Sequence, residues 1–141
     1  MRNLLTIFFA ILSCIAFAQN KPLTGIWELS KTKNYQGDKL DVPPLFYKIF
    51  SSDGTFSNMR ITPEGAVLSH EGSFKLEGTN TYTETVKKQI AGSSMDEKQT
   101  SLNYKFSEDG KTLTIEGVLT LDDGVQTYNL YEEWKKVEVN N

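Results

Sequence analysis

From Gly25 onward the chain alternates apolar and polar residues with a period of two, and turn signals break the alternation at short intervals. That pattern describes strands with one buried face, because successive side chains on a strand point to opposite sides. Leu68, His70, Gly72, Phe74 and Leu76 fall on one face. So do Tyr82, Glu84 and Val86, then Leu102, Tyr104 and Phe106, then Leu113, Ile115, Gly117, Leu119 and Leu121, and finally Tyr128, Leu130, Glu132 and Trp134. Three Asp-Gly pairs, Asp53-Gly54, Asp109-Gly110 and Asp123-Gly124, suit tight hairpins because Gly, and less readily Asp, accepts positive φ. Pro63-Glu64-Gly65, Glu77-Gly78-Thr79-Asn80 and a longer loop from Ala91 to Glu97 supply further breaks. The longest early connection runs over residues 35–44, with Gly37 and Pro43-Pro44; Gly37 weakens a helical turn there.

Eight segments lie between these breaks, over residues 25–33, 45–51, 55–61, 66–76, 81–90, 100–107, 112–121 and 125–137. They are rich in Thr, Tyr, Phe, Val and Ile, as strands are. Glu132 to Lys136 has helical propensity, but the two-residue period of Tyr128, Leu130, Glu132 and Trp134 argues for strand. Consecutive antiparallel strands joined by hairpins leave two edges, and closure removes both. The expected fold is therefore all-β, an eight-stranded antiparallel up-and-down barrel; an open sheet or a two-sheet sandwich is the alternative.

The chain has 141 residues, enough for one domain. Its first 18 residues read as a signal peptide: Arg2, an apolar stretch through Leu12, and the small-x-small site Ala16-Phe17-Ala18. Their uncharged run from Asn3 is short for a bilayer-spanning helix. The expected division is a leader, residues 1–18, and one barrel domain, residues 19–141, periplasmic or secreted. Ile11-Leu12-Ser13-Cys14 loosely resembles a lipobox, a rival route that would anchor the protein through Cys14. Cys14 is the only cysteine, so cleavage after Ala18 leaves neither a disulfide nor a thiolate metal site. Without the leader the chain carries 14 Lys and Arg against 18 Asp and Glu, a net charge of −4. With no block of basic residues, nucleic acid is not an expected partner.

Four short motifs recur in order along the chain: Gly25-Ile26-Trp27, Tyr47-Lys48-Ile49, Asp53-Gly54-Thr55-Phe56 and Glu132-Glu133-Trp134. With them the chain resembles the lipocalin-like, calycin-type small exported proteins of unknown function from Gram-negative bacteria. The resemblance spans roughly residues 23–137. It implies a barrel whose first-strand Trp plugs the closed end, and it implies no defined activity.

No catalytic motif is present. There is no Gly-x-Ser-x-Gly elbow, P-loop or dinucleotide fingerprint, and Ser69-His70-Glu71 is no triad because strand neighbours face opposite ways. His70, the only histidine, shares a face with apolar residues and is most simply structural. Glu84 and Glu132 stand at apolar-face positions, where a carboxylate needs a partner. Arg60, the only arginine beyond the leader, and Tyr82, Tyr104 and Tyr128 are candidate partners. His70, Glu84 and Glu132 are metal-ligating types, but no ligand spacing demands a metal, and no cofactor is expected. The expected function is the binding of a small amphipathic or anionic molecule by a lining of Arg60, His70, Tyr82, Glu84, Tyr104, Tyr128 and Glu132. The alternative is a non-enzymatic cell-envelope interaction protein with a filled barrel.

Overall fold

The computed structural model describes residues 22–89, 99–121 and 126–138. The leader with Cys14, the loop from Ala91 to Glu97 and the Asp123-Gly124 pair lie outside the described residues.

All regular structure among the described residues is strand: β1 (Gly25–Lys33), β2 (Lys39–Asp41), β3 (Phe46–Phe50), β4 (Thr55–Thr62), β5 (Gly65–Leu76), β6 (Thr81–Gln89), β7 (Gln99–Phe106), β8 (Thr112–Leu121) and β9 (Gln126–Lys136). From β3 to β9 each strand pairs antiparallel with the next, β1 pairs β3, and β9 returns to pair β1. The result is a closed, eight-stranded, up-and-down barrel, so the open-sheet and sandwich alternatives fall. The residues read as strand or helix at the C-terminus are strand, and Leu113 pairs Trp134 in the β8–β9 ladder.

The extra strand, β2, lies inside the segment expected as a plain connection. It continues the edge of β1 above β3, pairing Lys31 with Asp41 and Lys33 with Lys39. Asn34 makes the turn before it, its Oδ1 accepting from the backbone N–H groups of Gln36 and Asp38 at 3.0 and 2.9 Å.

The two described Asp-Gly pairs, Asp53-Gly54 and Asp109-Gly110, turn the chain through longer loops than a two-residue hairpin. At Asp53-Gly54 the Gly54 N–H donates to Ser51 O at 3.1 Å and Gly54 takes φ 85°. That is a type I turn followed by a left-handed residue, a conformation Gly adopts without strain. Asp53 Oδ1 accepts from both the N–H and the hydroxyl of Thr55, at 3.0 and 2.7 Å.

The period of two holds along most strands and fails at bulges. On β5 the pairing with β4 jumps from His70 opposite Asn58 to Leu68 opposite Met59. The extra residue, Ser69, puts Leu68 on the outer face, where it is exposed, so Leu68 does not share a face with His70. A second bulge lies where β5 meets β6, between Glu71 and Gly72. There the backbones approach closely: a Cβ on Gly72 would stand 2.0 Å from Thr85 O.

The loops at Ser51–Gly54, Glu77–Asn80 and Ser107–Lys111 gather at one end of the barrel. Aromatic rings fill that end. Trp27, Phe50, Phe56, Phe74, Tyr82, Tyr104 and Trp134 are all buried in one core with Leu23, Leu113 and Ile115. The rings meet edge to face: Phe50 with Phe74 at 4.8 Å, Tyr82 with Tyr104 at 5.9 Å, Tyr104 with Phe106 at 5.7 Å. Trp27 closes this end, its Nε1 donating to Leu23 O at 2.9 Å. Each fully buried ring contributes roughly 1.5–3 kcal/mol by removal from water, and the rings concentrate that contribution at the plugged end.

Candidate functional site

Above the aromatic plug the interior changes character. Lys48 is 3% exposed and Glu84 8%, and their side chains form an ion pair. Lys48 is there because Phe46, Lys48 and Phe50 share a face of β3, and Phe50 is core. Its ammonium lies 5.4, 5.2 and 5.9 Å from the ring centres of Phe50, Phe56 and Trp134. Such contacts favour a cation held away from water. Glu84, inward on β6, also accepts from the Tyr82 hydroxyl at 2.8 Å. Burial, with Glu84 beside it, pushes the Tyr82 phenol well above its ordinary range, so Tyr82 stays a donor.

Glu132 enters the same layer from β9. Its Oε2 accepts from Trp134 Nε1 at 3.0 Å. Burial pushes its carboxyl up; the nearby Lys48 opposes that shift and Glu84 adds to it. His70 comes in from β5, opposite Asn58. Burial, reinforced by Lys48, holds its imidazole below the ordinary range, so at neutral pH the ring is uncharged. Asn58 Oδ1 is buried with no hydrogen-bond partner.

These groups form the floor of a cavity of about 140 Å³ on the side of the barrel away from the plug. Lys48, Asn58, His70, Glu84 and Glu132 supply its polar lining; Phe56, Val86, Leu102, Leu119 and Leu130 its apolar walls, with Thr100 between. An apolar pocket with a few convergent polar groups is the usual form of a small-molecule site. The size is close to that of a cavity of about 150 Å³ that admits benzene. Among the described residues no three or more His, Cys, Asp or Glu side chains are placed to hold a metal ion.

Of the seven residues read from the sequence as a lining, His70, Glu84 and Glu132 line the cavity. Tyr82 stands below and reaches it through Glu84. The other three are elsewhere. Arg60 is exposed, its guanidinium 5.3 Å from the Phe46 ring centre at the far end of β4. Among the described residues it pairs with no carboxylate, and the buried Glu84 has Lys48 instead. Tyr104 belongs to the plug and donates to Thr79 O at 3.0 Å, its phenol raised by burial. Tyr128 donates to Lys33 O at 3.2 Å, its ring edge against exposed Tyr35. Lys48 and Asn58 were not read as interior. Their signal was the same alternation, Phe46-Lys48-Phe50 and Phe56-Asn58, obscured by the habit of placing lysine and asparagine outside.

No helix among the described residues is long and apolar enough to cross a membrane. The chain matches no curated protein. A family defined as a domain of unknown function matches residues 22–141, which takes in every strand of the barrel and every residue of the cavity. On that match the chain belongs to the DUF4488 family, a domain of unknown function.

Proposed function

We propose that the protein is an exported, lipocalin-like binding barrel that takes a small amphipathic molecule into the cavity above its aromatic plug. The observation that carries this reading is the cavity itself, with apolar walls from Leu102, Leu119 and Leu130 and a charged floor from Lys48, Glu84 and Glu132. In a filled barrel an ion pair and a second carboxylate in the middle would cost more than apolar packing, which supports an open interior. The ligand's apolar body lies against the leucines and its polar end reaches the floor. Export is supported by the signal-peptide layout of residues 1–18, ahead of the family match that begins at residue 22.

Native mass spectrometry of the protein, purified from an exporting host without denaturation, tests the reading. A reproducible added mass that vanishes on denaturation is expected. A bare mass, repeated after incubation with metabolite and lipid extracts, contradicts it. That outcome favours the second reading, an envelope protein that works through its surface. Leu45, Ile61, Val67 and Leu68, all exposed on neighbouring strand ends away from the plug, are the observation behind that alternative.

A further inference from the structure

The polar lining of the cavity is unbalanced in both charge and hydrogen bonding. Two carboxylates, Glu84 and Glu132, share the floor with one cation, Lys48. Lys48 is paired with Glu84 and lies near three aromatic rings, so its charge is already met by a carboxylate. The arginine stands outside the cavity, over Phe46. The imidazole of His70 is neutral near pH 7. Among the described residues acceptors, by contrast, are in surplus: the Asn58 side-chain oxygen is buried without a partner, and Glu132 accepts one hydrogen bond, from Trp134, at its Oε2. A buried acceptor left without a donor is costly, and a carboxylate away from water more so. An anion entering this floor faces the two carboxyl groups of Glu84 and Glu132, whereas an ammonium brings donors to their oxygens.

We infer that the cavity selects a compact apolar amine, whose ammonium end hydrogen-bonds Glu132 and Asn58 while its hydrocarbon body packs on Leu102, Leu119 and Leu130. The inference rests on the cavity reading above and names its ligand class. The cavity volume, about 140 Å³, limits the buried part to roughly one six-membered ring.

Three probes of one shape separate the possibilities: benzylammonium, benzyl alcohol and benzoate, titrated calorimetrically into the purified protein at pH 7. Benzylammonium is expected to bind at least about tenfold tighter than benzoate, the margin of one charge-assisted hydrogen bond, with benzyl alcohol between them. In Glu132→Gln that margin is expected to collapse to less than about threefold while benzyl alcohol still binds. Benzoate binding as well as or better than benzylammonium overturns the inference and leaves the cavity reading standing. So does a margin that survives Glu132→Gln. Absence of binding by all three overturns the cavity reading with it. The wild-type ranking decides alone should the variant fail to fold.

Discussion

Replacing Lys48 by Met is the sharpest perturbation of the buried layer. Met nearly matches the lysine stem in length and stays among Phe50, Phe56 and Trp134, so little apolar packing is lost. What is lost is the cation paired with Glu84 in the cavity floor. Removing one partner of a buried pair costs about 3–5 kcal/mol, mostly because the other charge is left uncompensated. The lost ring contacts add about 0.5–2 kcal/mol, partly returned by the thioether. Total stability for a domain is about 5–15 kcal/mol, so the variant folds but unfolds at a clearly lower urea concentration. Glu84→Gln alone keeps a side-chain oxygen for the Tyr82 hydroxyl and strands the ammonium instead. The double variant Lys48→Met/Glu84→Gln strands neither charge. The two changes should therefore be strongly non-additive, with a coupling of at least about 2 kcal/mol. Urea denaturation at 25 °C and pH 7, followed by tryptophan fluorescence, measures all four proteins. A Lys48→Met cost below about 1 kcal/mol, or additivity within about 0.5 kcal/mol, refutes the buried pair as described.

Three further outcomes follow from the same geometry. Glu132 has a carboxyl pKa raised above its ordinary value of 4.5 by burial, so its favourable contribution is complete below that value and is lost as pH rises through the raised one; denaturation across pH 4 to about 8 should show Glu132→Gln gaining stability relative to the wild type as pH increases. Gly72→Ala places a methyl 2.0 Å from the Thr85 carbonyl oxygen and 3.1 Å from Phe56, and its cost should exceed about 3 kcal/mol in urea denaturation, whereas Gly37→Ala, with φ +88° and no atom within 4 Å, should cost about 1 kcal/mol. His70 should titrate below 6.5 by NMR and move upward in Lys48→Met, since burial and Lys48 both disfavour its charged form; because the folded state resists protonation, this group removes stability as pH falls below 6.5.

The fold was legible in the sequence because the alternation is long and the turns are chemically explicit. Residues 112–121 were read with the bounds of β8, and Gly25–Lys33 with those of β1. The failures have physical causes. A bulge adds one residue without changing composition, so Leu68 was placed with His70 when Ser69 had already turned it outward. Strand β2, three residues long and exposed, carries no apolar face to mark it. In the site, the carboxylates and His70 were visible as polar residues on apolar faces. The sequence points to Arg60 as their cation, on the general ground that arginine forms the better fork. The inward position of Lys48 follows from Phe46 and Phe50 on either side of it, and there its ammonium meets Glu84 beside the Phe56 ring. The extent of the cavity could not be read, because it depends on how far the aromatic plug rises up the barrel.

A cavity opens above a closed plug inside the same barrel. Methyl-resolved NMR of the protein titrated with benzyl alcohol tests it most directly. Shifts are expected only at the methyls of Val86, Leu102, Leu119 and Leu130, with those of Leu23, Leu113 and Ile115 unmoved in the plug. Shifts confined to the outward methyls of Ile61, Leu68 and Val118, or no shifts at any methyl, contradict it.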